Sequence, residues 1–459
     1  MVRSSASAAS PILRIVAAEA GFLIDACIPR LYITHGFMPH NQTPSRLFRI
    51  HPVAAFALPA LCAMAVVALC AVPAARPTSH DDIWPTKSGI DVLEAQNFAP
   101  LRGMRVGLIT NQTGVDSQGR RTVDLLAKAP GVKLVALFSP EHGIEGHADA
   151  AVANATDAST GLPVYSLYGA TRRPTPAMLA GLDALVFDIQ DAGVRFYTFI
   201  TTMAYSMEEA AKRRIPFFVL DRPDPLGGEV IEGPMLDPGR TSFVGYFPMP
   251  VRYAMTLGEL ARMFNAENHI GADLRVIPMQ GWSRAFTYNA TGLAWIAPSP
   301  NLPTFHADLL YPGVEILQAA GVSVGRGTDT PFELFGAPHM DAENLAEALD
   351  RRGVPGVEFE PVNFAPQSGL YAGQICGGVS IGITKRAEFR PMLMGLEIAE
   401  TLAHLYPNQF DVTKMIELLG SQSTVDQLAR GVPPAQIVAG WRGDLDRFRA
   451  LREKYLLYH

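Results

Sequence analysis

From Met104 onward, short apolar runs alternate with amphipathic stretches. Arg105–Thr110 (RVGLIT), Lys133–Ser139 (KLVALFS), Ala184–Asp188 (ALVFD) and Pro216–Leu220 (PFFVL) are rich in β-branched and aromatic residues, and turn residues bound each of them. A strand that is apolar at nearly every position is buried on both faces, as in a parallel sheet covered by helices. Helical spacing falls between these runs, at Thr122–Lys128, Pro176–Gly181 and Ile200–Arg213. This alternation predicts an α/β fold, with a Rossmann-like, doubly wound parallel sheet. Prolines crowd Trp295–Thr304 (WIAPSPNLPT) and forbid a regular element there. Beyond this break, Gln374–Thr384 has strand alternation, and Phe389–Tyr406 and Pro434–Tyr458 are helical by periodicity. A smaller α+β C-terminal domain is therefore expected. The divisions are an N-terminal extension, apolar segment and linker (1–97), a Rossmann-like domain (98–297) and a smaller domain completing a cleft (298–459).

One apolar run departs from the pattern. Val53–Val72 (VAAFALPALCAMAVVALCAV) carries no charge, follows Arg46, Arg49 and His51, and ends in small residues, with Val72 and Ala74 at cleavage-site positions. A basic flank, an apolar run and a small-residue exit describe an export signal over 53–75, with a retained membrane anchor as the alternative. Leu69 before Cys70 is too large for a lipoprotein site. The expected compartment is periplasmic or secreted. Met38 lies much closer to this signal than Met1, which points to Met38 as the functional start.

Composition adds limits. The 459 residues carry 38 Lys+Arg against 44 Asp+Glu, a net charge of −6, which disfavours nucleic acid as a partner. With 48% hydrophobic and 18% charged residues the chain is globular. The slightly positive mean hydropathy of +0.13 owes much to the export segment. Three of the four cysteines, Cys27, Cys62 and Cys70, precede the expected cleavage site, leaving Cys376 without an internal disulfide partner.

Ligands of an open α/β sheet bind beyond the carboxyl ends of its strands. There the chain places Ser139-Pro140-Glu141-His142-Gly143, then Asp188-Ile189-Gln190-Asp191 with Arg195 and Tyr197, then Asp221-Arg222 and Glu232. Carboxylates gathered in a partly desolvated cleft shift one another's pKa, as glycoside hydrolysis requires of its acid and its second carboxylate. Arg195, Arg222 and Arg326 offer guanidinium forks for a substrate carboxylate. Each acid also has a structural reading as a cap or a loop tie, and Asp221 can pair with Arg222. His142, His147, Asp188 and Asp191 are the set from which a metal site would be assembled, but no HExxH spacing supports one. Asn111-Gln112-Thr113-Gly114 follows the first strand in place of GxGxxG, and no GxSxG elbow occurs, so neither a dinucleotide nor a serine nucleophile is indicated. Pro298–Pro303 and Gly325–Glu333 are loop-like and are expected to wall the cleft opposite the sheet edge.

Taken together, these segments resemble the exo-β-N-acetylmuramidase (NamZ-like) family. The resemblance rests on VGLITNQTGVD (106–116), LFSPEHG (137–143), TGLPVYSLYG (160–169), VFDIQDAGVRFYTFI (186–200), LDRPDPLGG (220–228), EGP (232–234), PSPNLPT (298–304), GRGT (325–328), PFELFGAP (331–338) and LREKYLLY (451–458). It implies an exported hydrolase that removes N-acetylmuramic acid from the non-reducing end of peptidoglycan fragments, with no cofactor. The glutamate of SPEHG maps onto Glu141. The expected catalytic set is Glu141 as general acid, His142 assisting it, and Asp188 or Asp191 as second carboxylate. The expected substrate contacts are Asn111, Arg195, Tyr197, Asp221, Arg222, Glu232, Asn301, Arg326 and Thr328. Two departures stand out. The family usually has Gly-Asp and then Gly-Glu after the SPEHG loop, where this chain has Gly146-His147-Ala148-Asp149-Ala150-Ala151-Val152. GRGT usually follows an acid, and here it follows Val324. A non-catalytic muropeptide-binding protein and a metal-dependent hydrolase are the alternative readings.

Overall fold

The computed structural model describes residues 85–148 and 150–459. The 53–75 segment, the Met38 start, the first three cysteines and Asp149 lie outside the described residues. Among the described residues no helix is long and apolar enough to cross a membrane.

The described chain begins with α1 (Gly89–Ala95), inside what the sequence reading takes as a linker. Ser88 and Asp91 form a capping box, and Ile90 and Leu93 are fully buried, so this stretch is part of the fold. Next come β1 (Arg105–Thr110), α2 (Thr122–Lys128), β2 (Lys133–Ser139), β3 (Ala155–Thr156), β4 (Pro163–Ser166), β5 (Ala184–Asp188), α3 (Phe199–Lys212) and β6 (Phe217–Leu220). A short antiparallel pair, β7 (Glu232–Met235) and β8 (Pro250–Arg252), leads into α4 (Leu257–Glu267) and β9 (Leu274–Ile277). The main sheet has the order β3-β4-β2-β1-β5-β6-β9, parallel throughout except at β3.

Strand alternation splits the core in two. Val106 and Leu108 of β1, Ala184 and Val186 of β5, and Phe218 and Leu220 of β6 face a layer with α1 and α2. Ile109, Leu185, Phe187, Phe217 and Val219 face the other layer, with α3 and α4. Both faces are covered, which is why these strands lack polar positions. Pro176–Gly181, expected as a helix, makes only turns: Leu179 N donates to Thr175 O (3.2 Å), and Gly181 ends the segment at φ +74°. A glycine-terminated single turn has too few backbone bonds to propagate.

The C-terminal part supplies α5 (Phe305–Val314), β10 (Leu334–Ala337), α6 (Ala342–Asp350), β11 (Val357–Phe364), β12 (Cys376–Ile383) and α7 (Pro391–Leu405). Its sheet is antiparallel, in the order β10-β12-β11. The expected helix over 434–458 is broken into Pro434–Gly440, Arg442–Arg452 and a 3-10 turn at Glu453–Tyr455. The chain end returns to the main sheet. The Tyr458 hydroxyl donates to Asp221 (2.6 Å) and accepts from Met279 N (2.8 Å), and its ring meets Trp282 edge-on.

Candidate active site

Strand β2 delivers Ser139 to the carboxyl edge, and Pro140 starts a turn closed by Gly143 N on Pro140 O (3.1 Å). His142 takes φ +70°, a left-handed conformation uncommon outside glycine, and its Nδ1 donates to Ala148 O (2.7 Å). The turn is thereby held with Glu141 half-buried at its tip. Thr198, the residue before α3, donates its hydroxyl to Glu141 Oε2 at 2.5 Å. Glu141 is thus presented by one strand end and oriented by the start of one helix.

Glu141 lines a cleft of about 340 Å³ together with His142, Phe196, Tyr197 and Thr198 from the sheet edge. Ser299 and Leu302 of the proline-rich break, Tyr311 of α5, and Glu315 and Gln318 of the 3-10 turn after it form another wall. Arg326 and Phe332 complete it. Arg326 pairs with Glu315 (2.9 Å) and stacks over Phe332 (5.2 Å to the ring centre). Tyr311 packs edge-on against Phe196, Tyr197 and Phe332. Burial first, and then the surrounding charges, push the Tyr197 and Tyr311 hydroxyls well above the usual tyrosine range. Glu141 is among those charges for both rings, and Glu315 acts on Tyr311. The Tyr197 hydroxyl is buried with no hydrogen-bond partner among the described residues, so it holds a donor for a ligand group.

Four of the predicted residues, Glu141, His142, Tyr197 and Arg326, therefore meet in one cleft. The others do not line it. Asp188 sits under Arg222, which donates through Nε (2.6 Å) and Nη2 (2.9 Å), and it also accepts from Thr122. Both are buried, and this pair closes on itself. Asp191 accepts from the Tyr253 hydroxyl and from Gly193 N (3.0 Å); burial raises its pKa to about 6. Neither acid lines Glu141's cleft, where the expectation had placed the second carboxylate. Arg195 is fully buried and donates to four backbone carbonyls, of Pro234, Met249, Leu418 and Leu419, at 2.8–2.9 Å. Its role is to tie the C-terminal segment to the sheet domain, and it is not placed to grip a substrate.

Asp221 does not pair with the Arg222 side chain. It accepts from Thr256 Oγ1, Gly258 N, Tyr458 Oη and the Arg222 backbone N–H, and burial raises it to about 7. Glu232 accepts from Met392 N (3.1 Å) in the first turn of α7. Asn111 closes an Asx turn on Thr113, and Thr328 donates to Gly325 O within its own loop. Asn301 is buried beside Ser299 but is not among the cleft-lining residues. His142 and His147 do not assemble with Asp188 and Asp191: among the described residues no three His, Cys, Asp or Glu side chains are grouped to hold a metal ion.

Glu315, Gln318, Tyr311 and Thr198 also line the cleft and are not among the residues expected from sequence. Thr198 lay inside a quoted motif (186–200), beside Tyr197. The other three come from the end of an apolar helix, where nothing in the local pattern marks a polar site. Val324, in place of the family's usual acid, is a buried core residue, and the acid beside Arg326 is Glu315.

Comparison with known proteins gives concordant matches. The family profile described as "Exo-beta-N-acetylmuramidase NamZ, N-terminal" matches residues 106–306, and its C-terminal counterpart matches 309–458. The peptidoglycan beta-N-acetylmuramidase NamZ of Bacillus subtilis (strain 168) is 43% identical over 377 residues, covering 81% of this chain and 91% of that protein. A crystal structure of a DUF1343 family protein from Bacteroides fragilis NCTC 9343 matches with a TM-score of 0.76 at 41% identity, covering 82% of this chain and 99% of that one. A second DUF1343 protein from that organism matches with a TM-score of 0.69 at 30% identity, with the same coverage.

Proposed function

The chain belongs to the exo-beta-N-acetylmuramidase NamZ family, and from that premise we propose that it releases N-acetylmuramic acid from the non-reducing end of peptidoglycan fragments. It is a glycoside hydrolase of peptidoglycan turnover. The observation that carries the site assignment is the orientation of Glu141 by Thr198 in a cleft whose other lining carboxylate is Glu315. A cleft of about 340 Å³ is at the small end of ligand pockets and suits one terminal sugar rather than a long glycan run.

Glu141 acts as general acid and protonates the glycosidic oxygen as the bond to the anomeric carbon breaks. Glu315 is the second carboxylate: it faces the positive charge that develops on the sugar ring, and a water adds to the anomeric carbon and gives its proton to a cleft carboxylate, which completes the hydrolysis. Arg326 steadies Glu315 and brings a guanidinium to the cleft wall, where its planar fork suits the lactyl carboxylate of the sugar. Tyr197 donates its hydroxyl to the bound sugar. His142 holds the turn that aims Glu141.

The chain acts in the periplasm or outside the cell. The support is the basic flank, apolar run and small-residue exit over 46–75. N-terminal sequencing of the native protein tests this: a start near residue 75 supports export with cleavage. Mass analysis of muropeptides after incubation tests the reaction. Successive loss of N-acetylmuramic acid from the non-reducing end supports an exo-acting enzyme, and internal fragments contradict it.

A further inference from the structure

A second concavity, of about 330 Å³, shares no lining residue with the Glu141 cleft. Helix α5 contributes to both, through Leu309 to this pocket and through Tyr311 to the cleft. Four arginines line the second pocket: Arg252 of β8, Arg284, and Arg386 and Arg390 just before α7. Among the described residues the only carboxylate on its wall is the exposed Glu229, while Glu232 and Glu259 lie behind the wall against Arg252 and Arg284.

The arginines differ in how far the fold satisfies them. Arg284 is filled by Glu259 (2.8 Å) and by the carbonyls of Gly228 and Ala254. Arg252 is buried. Its Nη2 donates to Leu226 O (2.5 Å) and its Nη1 lies 3.6 Å from Glu232, while its Nε has no hydrogen-bond partner among the described residues. Arg386 stacks on Phe305 (4.9 Å) and Arg390 donates to two nearby carbonyls, and neither forms an ion pair among the described residues. Burial first, and then the charge of Arg252, depress the pKa of Arg386, so the two guanidiniums feel each other across the pocket. Like charges held together around an open cavity are favourable when an anion occupies it, and guanidinium forks match carboxylate and phosphate oxygens.

We propose that this pocket is a second ligand site, distinct from the Glu141 cleft, for a small molecule or substituent bearing carboxylate or phosphate groups. Arg386 and Arg390 meet the anion at the pocket's exposed side, and Arg252 Nε meets it inside. The source is either an acidic group carried by the glycan substrate beyond the cleaved sugar or a free polyanion.

Calorimetric titration with inorganic phosphate and with citrate, at constant ionic strength, tests the site. Wild type and Glu141→Gln are expected to bind with the same one-site, saturable isotherm, and the Arg386→Ala/Arg390→Ala double variant at least tenfold more weakly. Both replaced side chains are exposed, so an unchanged circular dichroism spectrum and melting temperature confirm the fold. Absence of saturable binding in wild type, or equal binding in wild type and the double variant, overturns the proposal. The source is read from KM on peptide-free and peptide-bearing glycans. A rise in the double variant confined to the peptide-bearing substrate assigns the pocket to the substrate's own acids. Unchanged KM on both, with phosphate binding lost, assigns it to a free anion.

Discussion

The hydroxyl of Thr198, at the start of α3, donates to Oε2 of Glu141 at 2.5 Å and so couples the turn after β2 to the helix after β5. A proton donor in catalysis must keep a fixed direction toward the glycosidic oxygen, and this bond fixes one oxygen of the carboxyl group. Glu141→Gln is expected to lower kcat by roughly 10²–10⁴. Thr198→Val removes a hydrogen bond to the acid, worth about 1–3 kcal/mol, and lowers kcat by about 10- to 100-fold with little change in KM. Steady-state kinetics of both variants check the two effects.

Arg195 and Arg326 have opposite settings: Arg195 is buried among backbone carbonyls, and Arg326 lines the Glu141 cleft beside Glu315. Arg195→Met leaves four backbone carbonyls without their donor and is expected to destabilise the fold by several kcal/mol. The folded fraction keeps its KM. Arg326→Met, which unpairs Glu315 but leaves no set of backbone carbonyls unmatched, is expected to cost much less stability than Arg195→Met and to raise KM at least tenfold. Thermal melts set beside kinetics separate the two.

Burial raises the pKa of Asp191 to about 6 and of Asp221 and Asp224 to about 7, well above the ordinary aspartate range. A raised acid keeps its proton in the folded state over a range where the unfolded chain has lost it. Folding therefore takes up protons between about pH 4 and 7, and stability from these groups falls as pH rises through that window. Urea midpoints are expected to be higher at pH 5 than at pH 8. Asp221→Asn, which cannot ionise, removes its share of the slope, on the order of a few kcal/mol. An unchanged slope in that variant would contradict the assignment.

Tyr458 bonds Asp221 and Met279 from within two residues of the chain end. Tyr458→Phe keeps the ring against Trp282 and deletes both bonds. A loss of about 1–3 kcal/mol is expected, with kcat unchanged in the folded enzyme. Denaturant unfolding measures it.

The main sheet was legible because strands buried on both faces show as continuous apolar runs: Val186 and Phe187 alternate between two cores, and both positions had to be apolar. Glu141 was legible because a proline-fixed turn after a strand places a side chain at the binding edge. Asp188 and Asp191 share that edge in sequence, yet their side chains turn to Arg222 and Tyr253, and no local pattern encodes which way a strand-end acid turns. Arg195 was misread for the same reason, since a charged residue satisfied by backbone carbonyls carries no partner in sequence. Glu315 was invisible because it follows an apolar helix and reaches the cleft only through tertiary packing.

The most direct test of the central assignment is turnover of a chromogenic N-acetylmuraminide by wild type, Glu141→Gln and Glu315→Gln side by side. The account predicts hydrolysis by wild type and loss of at least a hundredfold in kcat in each variant. Full turnover by Glu141→Gln, or no turnover by wild type, would contradict it.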